Sequence, residues 1–483
     1  MFKKNDTPLL SCLLGELLEE SCLAAATTPR CAMRLHQHML GLLLCPSKAT
    51  VSNLICTRGG QYSDWTADYR LYSKERVDES VLFGRVRDTL IENLAPDEPL
   101  VVAIDDTITR KTGKKIHGSA WKRDPLGPAF QTNLVHAQRY LQFSAAWPLE
   151  NGEARMVPID FLHTPTPVKP PKTATPEQHR SCREALKQHN LNCQTLKRLE
   201  ILRRETPAAR HLVITGDGSY TNKTILRGKP EGGTYIGRGR KDMVVHYPPK
   251  VAAGANGRPR RYGALALTPE QLRQDDSVPW QNVAAFAAGK RHDFRVKTLG
   301  PVLWRKAGTD MLIRVVVIAP LGYRLRNGSR MLYRQPAYLI CTDPDMPLEK
   351  FLQYYLWRWG IEVNFREEKT LIGTGQAHVR TPDSNQHLPA VTVAAYAMLW
   401  TATLQALAGG SDFQGLQPPK WRKDRALDGN LPSTGGLLRL LRYETWAGAL
   451  RPGTFHHFVT KAPPDMNAKK PKPDLPATLF AAA

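Results

Sequence analysis

The chain has 483 residues, of which 42% are hydrophobic, enough for about two to four domains with buried cores. Lys and Arg number 67 against 44 Asp and Glu, and the net charge of +23 favours a polyanionic partner such as nucleic acid over a merely soluble basic protein. The sequence shows no signal peptide, no apolar run of membrane-spanning length and no zinc-binding spacing among its eight cysteines. These features predict a cytoplasmic protein without a membrane partner.

Residues 1–95 are predicted to be helical. Leu and Met recur at three- and four-residue spacing in RLHQHMLGLLL and in ESVLFGRVRDTLIENL. This region is either a DNA-binding domain or a structural helical cap.

Residues 96–225 carry a different pattern, that of strands with an intervening helix. PLVVAIDDT predicts a buried strand with Asp105 and Asp106 at its end, and QTNLVHAQRYLQFSAAW and ARMVPIDFL predict two more strands. A long polar helix is expected from 176 to 205, before the buried strand of HLVITGDGSYTN, which ends at Asp217. Two strands would therefore each present an acid at their carboxyl ends.

Residues 226–345 are predicted to form a β-rich insertion. GRGRKDMVVHYPPK and GANGRPRRYG are basic and rich in Gly and Pro, and they supply Lys241, Arg260 and Arg261 as candidate DNA contacts. MLIRVVVIAPLGYRL and RMLYRQPAYLICT predict paired strands. Residues 346–408 should hold one helix near Pro347 and another from Pro389 to Ala408, and residues 409–483 a loop, a short helix and a flexible basic tail.

The segment YYLWRWGIEVNFREEK places four polar residues on one side of a helix. At 100° per residue, Tyr355, Arg358, Glu362 and Lys369 fall within an arc of about 60°. Trp and Ile flank this stripe, so we expect it to face a cleft, although Arg358 and Glu362 also have the spacing of an ordinary surface ion pair.

One acid from each of the two strand ends and Glu362 from the helix would repel one another around a pocket unless cations lay between them. Oxygen ligands suit Mg²⁺ or Mn²⁺, and two such ions about 4 Å apart stabilise both the attacking and the leaving oxygen of a phosphoryl transfer. Arg358 and Lys369 are then candidates to hold DNA phosphates beside the metals.

The spacing Tyr355-x2-Arg358-x3-Glu362-x6-Lys369 resembles the YREK signature of bacterial cut-and-paste insertion-sequence transposases of the DDE superfamily. IDDT followed by KTGKKIHG resembles the first-acid block of that family, TGDGSY resembles the second, and YRLYSKERVD resembles its helical DNA-binding region. The resemblance covers residues 95–400 and extends less closely to the N-terminal helices.

The resemblance implies an α/β ribonuclease H-like core, interrupted by a β-rich insertion and preceded by a helical domain. It implies cleavage and strand transfer with two metal ions held by Asp105, Asp217 and Glu362. The DNA partners would be terminal inverted repeats and target DNA, bound by a homodimer. Some members form a DNA hairpin, for which Trp304 or Trp280 is either a base-stacking residue or an ordinary core or surface tryptophan.

Several alternatives stay open. Asp105 and Asp106 point to opposite faces of a strand, and Asp105 is favoured because Thr107 completes the family's Asp-x-Thr pattern. His136, on a predicted core strand, is expected to be structural. The function is a transposase, a catalytically silent DNA-binding protein or a metal-dependent nuclease without strand transfer.

Overall fold

The structure is a computed structural model of the whole chain. It describes residues 10–60, 64–113, 115–124, 127–128, 130–249, 260–308, 311–324, 328–411 and 431–447. The predicted basic tail and most of the predicted loop before the last helix lie outside these residues.

Helices at both ends of the chain pack together. The first five confirm the predicted helical region, and apolar residues from all of them join one core with the last two helices. In full, the helices are α1 (Leu10–Ala25), α2 (Pro29–Leu44), α3 (Val51–Thr57), α4 (Thr66–Tyr72), α5 (Glu79–Glu92), α6 (Pro176–Gln188), α7 (Leu191–Glu205), α8 (Lys223–Gly228), α9 (Pro269–Gln274), α10 (Leu348–Trp357), α11 (Trp359–Glu367), α12 (Pro382–Ala408) and α13 (Thr434–Ala447), with a π-helical turn at Glu368–Ile372.

A mixed sheet of eleven strands forms the centre of the molecule. Its strands are β1 (Leu100–Arg110), β2 (Ala120–Arg123), β3 (Leu134–Pro148), β4 (Ala154–His163), β5 (Leu212–Gly216), β6 (Thr234–Arg238), β7 (Val245–His246), β8 (Gln281–Ala287), β9 (Lys290–Trp304), β10 (Leu312–Ile318) and β13 (Ala337–Cys341). A separate hairpin joins β11 (Gly322–Tyr323) to β12 (Leu332–Tyr333).

The order of the strands fits the predicted ribonuclease H-like core. Strand β3 runs antiparallel between β4 and β1, and β1, β5 and β6 are parallel neighbours. Parallel strands need helical crossovers between them, and α6 and α7 supply the connection before β5. The two buried apolar runs predicted as strands, LVVAI and LVITG, therefore lie side by side in the middle of the sheet.

Most of the strands predicted for the insertion extend this sheet. Strand β6 pairs in parallel with β5, although it lies within the range 226–345, and β13 pairs with β6 and β10. The predicted pairing of the two apolar strands, β10 and β13, is confirmed. Because one sheet runs through both regions, the boundaries between domains remain predictions.

The polar helix expected from 176 to 205 is two helices. Asn190 separates α6 from α7 because its side chain accepts a hydrogen bond from the backbone of Asn192 and so begins a new helix. Helix α6 has no buried residue, whereas Leu199 and Leu202 of α7 are buried.

Helix α12 begins at Pro382, seven residues before the predicted start at Pro389. Pro389 lacks an N–H, which leaves the carbonyl oxygen of Asn385 without its helical partner, and the hydroxyl of Tyr140 donates to that oxygen at 3.2 Å. This tertiary contact lets the helix continue through the proline.

Helix α12 also corrects the expectation that no apolar run reaches membrane-spanning length. By length and composition it could cross a membrane, with a mean hydropathy of 1.4 over its most apolar stretch. However, 89% of that stretch is buried, and the helix packs against α1, α2, α4, α5 and β4. Its apolar composition is therefore accounted for by its position in the core.

Candidate active site

The register of β1 and β5 brings two of the predicted acids together. These strands are parallel, and Ile104 pairs with Gly216, so Asp105 and Asp217 follow at neighbouring positions. Asp105 and Asp106 were predicted to lie at the end of their strand. This prediction is wrong, because β1 continues to Arg110 along β3. Strand β5 ends at Gly216, beside Ile104, so the part of β1 that begins at Asp105 is no longer paired with β5.

Asp105 and Asp106 lie on opposite faces of β1 and have different neighbours. Asp105 Oδ2 is 3.5 Å from Nη1 of Arg358, on the face covered by α11. Asp106 accepts a hydrogen bond from the hydroxyl of Tyr220 at 3.1 Å and is paired with Arg139, with 3.1 Å between Oδ2 and Nε. Asp105 therefore shares its face with the predicted catalytic helix, and Asp106 does not.

The predicted helix of residues 354–369 is divided but keeps its polar side together. Arg358 lies between α10 and α11 with helical dihedral angles, and the π-helical turn follows α11. The Arg358 guanidinium lies 5.7 Å from the Tyr355 ring centroid, and its Nη2 donates to Oε1 of Glu362 at 3.3 Å. Lys369, in the wider turn, donates from Nζ to Oγ1 of Thr107 on β1 at 2.6 Å.

Arg358 lies where the acids converge. Its side chain is 12% exposed and contacts both Asp105 and Glu362, and Asp217 is close enough to act on its charge. Nε and Nη1 of Arg358 are buried without a hydrogen-bond partner. Within the part of the chain that the structure describes, no three acidic, histidine or cysteine side chains are close enough together to hold a metal ion. The guanidinium thus supplies the positive charge between the acids.

The environment of Asp105 is short of positive charge even with Arg358 present. Burial and the neighbouring charge of Asp217 raise the pKa of Asp105 to about 7. Burial also raises the pKa of Asp106, although Arg139 and Tyr220 oppose that rise, and burial lowers the pKa of Lys369. A bound cation would relieve the cost of ionising Asp105, and carboxylate oxygens are the ligands that Mg²⁺ and Mn²⁺ prefer.

Trp304, predicted to contact DNA, is only 8% exposed and belongs to the hydrophobic core at the end of β9. Its burial contradicts base stacking and fits the alternative of a core tryptophan. Trp280 is half-buried, with Arg295 5.2 Å and Lys297 4.7 Å from its ring centroid.

The other predicted DNA contacts, Lys241, Arg260 and Arg261, are exposed. They belong to the chain segment between β6 and β8, and their role stays a prediction. His136 is half-buried, and its ring packs edge-on against Trp121.

Two acids that follow Glu362 anchor α11 and the π-helical turn, and neither was predicted from the sequence. Glu367 Oε2 accepts hydrogen bonds at 2.7 Å from Arg155, Tyr396 and Thr434, which come from β4, α12 and α13. Glu368 is 1% exposed and accepts from Nε2 of Gln142 at 2.9 Å, and burial raises its pKa to about 8. These partners are distant in sequence, so no local pattern indicates them.

Trp359 was also missed as a surface residue. Trp359, which follows Arg358 directly, was predicted to flank the polar stripe as an apolar neighbour. Its side chain is instead 62% exposed. A large exposed aromatic side chain that follows Arg358 in the chain is available to a ligand.

Comparison with protein families gives a match to the DDE superfamily endonuclease model over residues 20–310. The chain belongs to this family. Family membership supports an enzyme of the nuclease or transposase type that acts on DNA, and the mixed α/β sheet fits a ribonuclease H-like DDE nuclease. The matched region includes Asp105, Asp106 and Asp217 but ends before Glu362. No curated protein matches the chain.

Proposed function

We propose that this protein is a DNA transposase of the cut-and-paste insertion-sequence type with the YREK signature. The observation that carries the proposal is the meeting of Asp105 and Asp217 at the end of β5, with Glu362 joined to them through Arg358. The substrates are double-stranded terminal inverted repeats and target DNA. Since two transposon ends must be paired, the protein acts as a homodimer on DNA.

Asp105, Asp217 and Glu362 are the residues that would hold two Mg²⁺ or Mn²⁺ ions. Such ions supply positive charge that stabilises the attacking and leaving oxygens of a phosphoryl transfer. Asp105 has to be ionised to serve as a ligand, and its pKa of about 7 means that a proton occupies it for part of the time at neutral pH. After burial, the neighbouring charge of Asp217 is the main reason why the pKa of this carboxylate is raised.

Arg358 changes partners when DNA arrives. Two of its nitrogens lack hydrogen-bond acceptors, and the planar guanidinium can bind two oxygens of a DNA phosphate in a bidentate manner. Moving Arg358 to a phosphate would release Asp105 and Glu362 from it. Lys369 binds a second phosphate oxygen, while Tyr355 supports the guanidinium through its ring.

The test is cleavage of end-labelled DNA that carries the sequence flanking the gene, with Mg²⁺, by the wild type and by Glu362→Gln. The variant keeps the size of the side chain but removes its charge, and it is expected to bind DNA without cutting it. Glu349→Gln is the matched control, because Glu349 is an exposed acid at the start of the same helical segment. Cleavage that survives in Glu362→Gln would sink the assignment.

A second measurement separates a transposase from a nuclease. Supplying labelled transposon ends with a supercoiled target plasmid should give covalently joined product in the wild type. Cleavage without any joined product would support a nuclease without strand transfer. Specific binding without cleavage would support the catalytically silent alternative.

A further inference from the structure

Beyond the acids, the central sheet extends into a small wing. We call the outer wing residues 108–110, 120–123 and 134–138, where β1, β2 and β3 continue past the end of β5. Strand β2 pairs with the beginning of β3, with Trp121 opposite His136 and Arg123 opposite Leu134. The wing is therefore a rigid part of the sheet that carries Asp105.

Trp121 is the most exposed tryptophan among the described residues, with 66% of its surface accessible. Its ring centroid lies 5.5 Å from that of His136 at an interplanar angle of 67°, so the histidine supports it from one side. Strand register places Trp121 and His136 on the same face of the sheet as Gln142 and Asp105. The indole is thus held in place while most of its surface stays open.

The charge of the wing selects a polyanion. The outer wing contains Arg110, Lys122 and Arg123 and no Asp or Glu. Arg123 is exposed on the same face as Trp121, and Arg110 is 67% exposed and paired with Asp124. A second copy of a chain with a net charge of +23 would meet like charge here, whereas a DNA strand would neutralise it.

We propose that Trp121 stacks on an unpaired nucleobase of bound DNA while Arg123 binds a neighbouring phosphate. The position on the DNA rests on the proposed function, which places the scissile phosphate at Asp105. His136 lies six residues along β3 from the partner of Asp105, or about 20 Å at the rise of a β-strand. That length corresponds to about six nucleotides of one strand. Stacking on an aromatic ring is tolerant of sequence because every base has a flat apolar face.

The experiment measures binding of the full-length protein to two fluorescent DNA probes without divalent cations. One probe is a blunt duplex of about 30 base pairs, and the other is the same duplex with a single-stranded 3′ tail of about six nucleotides. Trp121→Ala is expected to weaken binding of the tailed probe about tenfold and to leave the blunt probe unchanged. Trp121→Phe, which keeps a ring, should retain most of the affinity. Arg123→Gln should reduce the salt dependence of binding to the tailed probe by about one ion and leave that of the blunt probe unchanged.

Equal affinity of Trp121→Ala and the wild type for the tailed probe would overturn the proposal. So would a change in the molar mass of the free protein in Trp121→Ala with unchanged DNA binding, because the wing would then be an interface between copies. Trp121 is exposed, so the variant should melt like the wild type, which a thermal scan verifies. Failure of the wild type to cleave DNA would refute the proposed function but not Trp121-dependent binding, since the binding assay needs no cleavage.

Discussion

Asp105→Asn should make the folded protein more stable at alkaline pH, although it removes a proposed metal ligand. Burial raises the pKa of Asp105 from its ordinary value of 3.8 to about 7 in the folded protein. Ionising this side chain therefore costs folding free energy. The cost is absent below about pH 4, grows as the pH rises towards 7, and is complete above that value. Asparagine has the same shape and no charge, so it avoids the cost.

The pKa of Asp105 differs between the folded and unfolded chain by about three pH units, each equivalent to about 1.4 kcal/mol. The ionised carboxylate therefore opposes folding by about 4 kcal/mol. This figure already includes the attraction of Arg358, whose Nη1 lies 3.5 Å from Asp105 Oδ2 and which lowers the pKa of Asp105. We expect a stabilisation of up to about 4 kcal/mol at pH 8, or up to about 4 °C in melting temperature for a chain of 483 residues.

The assay is a thermal melting scan of the wild type and Asp105→Asn at several values between pH 5 and pH 8. The gain should shrink by more than half towards about pH 5. The control is Asp242→Asn, since Asp242 is exposed and bound by both arms of Arg240 at 2.9 Å, which lowers its pKa. It should show no gain at any pH. A lower melting temperature of Asp105→Asn at pH 8, or a gain independent of pH, would refute the reasoning.

Three further predictions concern buried residues around the site. Arg155→Met leaves Glu367 without its cation, so the free energy of unfolding should fall by about 3 to 5 kcal/mol. Adding Glu367→Met should recover part of this loss, and an unchanged melting temperature of Arg155→Met would contradict the prediction. Glu368→Gln should alter stability at neutral pH by less than about 1 kcal/mol in chemical unfolding, because burial keeps the carboxyl largely neutral, and a larger loss counts against that. Trp304→Ala should lower the free energy of unfolding by about 3 to 5 kcal/mol but leave the affinity for DNA unchanged. Weaker DNA binding by the folded variant would support base stacking by Trp304.

The features that could be predicted are those encoded in local patterns. Continuous apolar runs predicted β1 and β5. The position of an acid after each run predicted that Asp105 and Asp217 lie close together. The helical angle of 100° placed Arg358 next to Glu362, and the structure joins them at 3.3 Å. Regular geometry was sufficient in each of these cases.

The features that were missed depend on tertiary contacts. Tyr140 binds the carbonyl that Pro389 leaves free, so the proline does not mark a helix start. Local sequence does not show that Trp304 is covered by core side chains while Trp121 is left open. The alternation of side chains along a strand predicted that Asp105 and Asp106 lie on opposite faces of β1. It did not predict which of these faces α11 covers.

The choice between those two acids is the most direct test of the account. Mg²⁺-dependent cleavage of the transposon-end DNA should be measured for Asp105→Asn and Asp106→Asn at equal DNA occupancy. The account predicts that Asp105→Asn loses activity about a hundredfold or more, because Asp105 faces Arg358 and Glu362. Asp106→Asn should keep measurable cleavage, since Asp106 faces Tyr220 and Arg139. Cleavage by Asp105→Asn together with an inactive, folded Asp106→Asn would contradict the account.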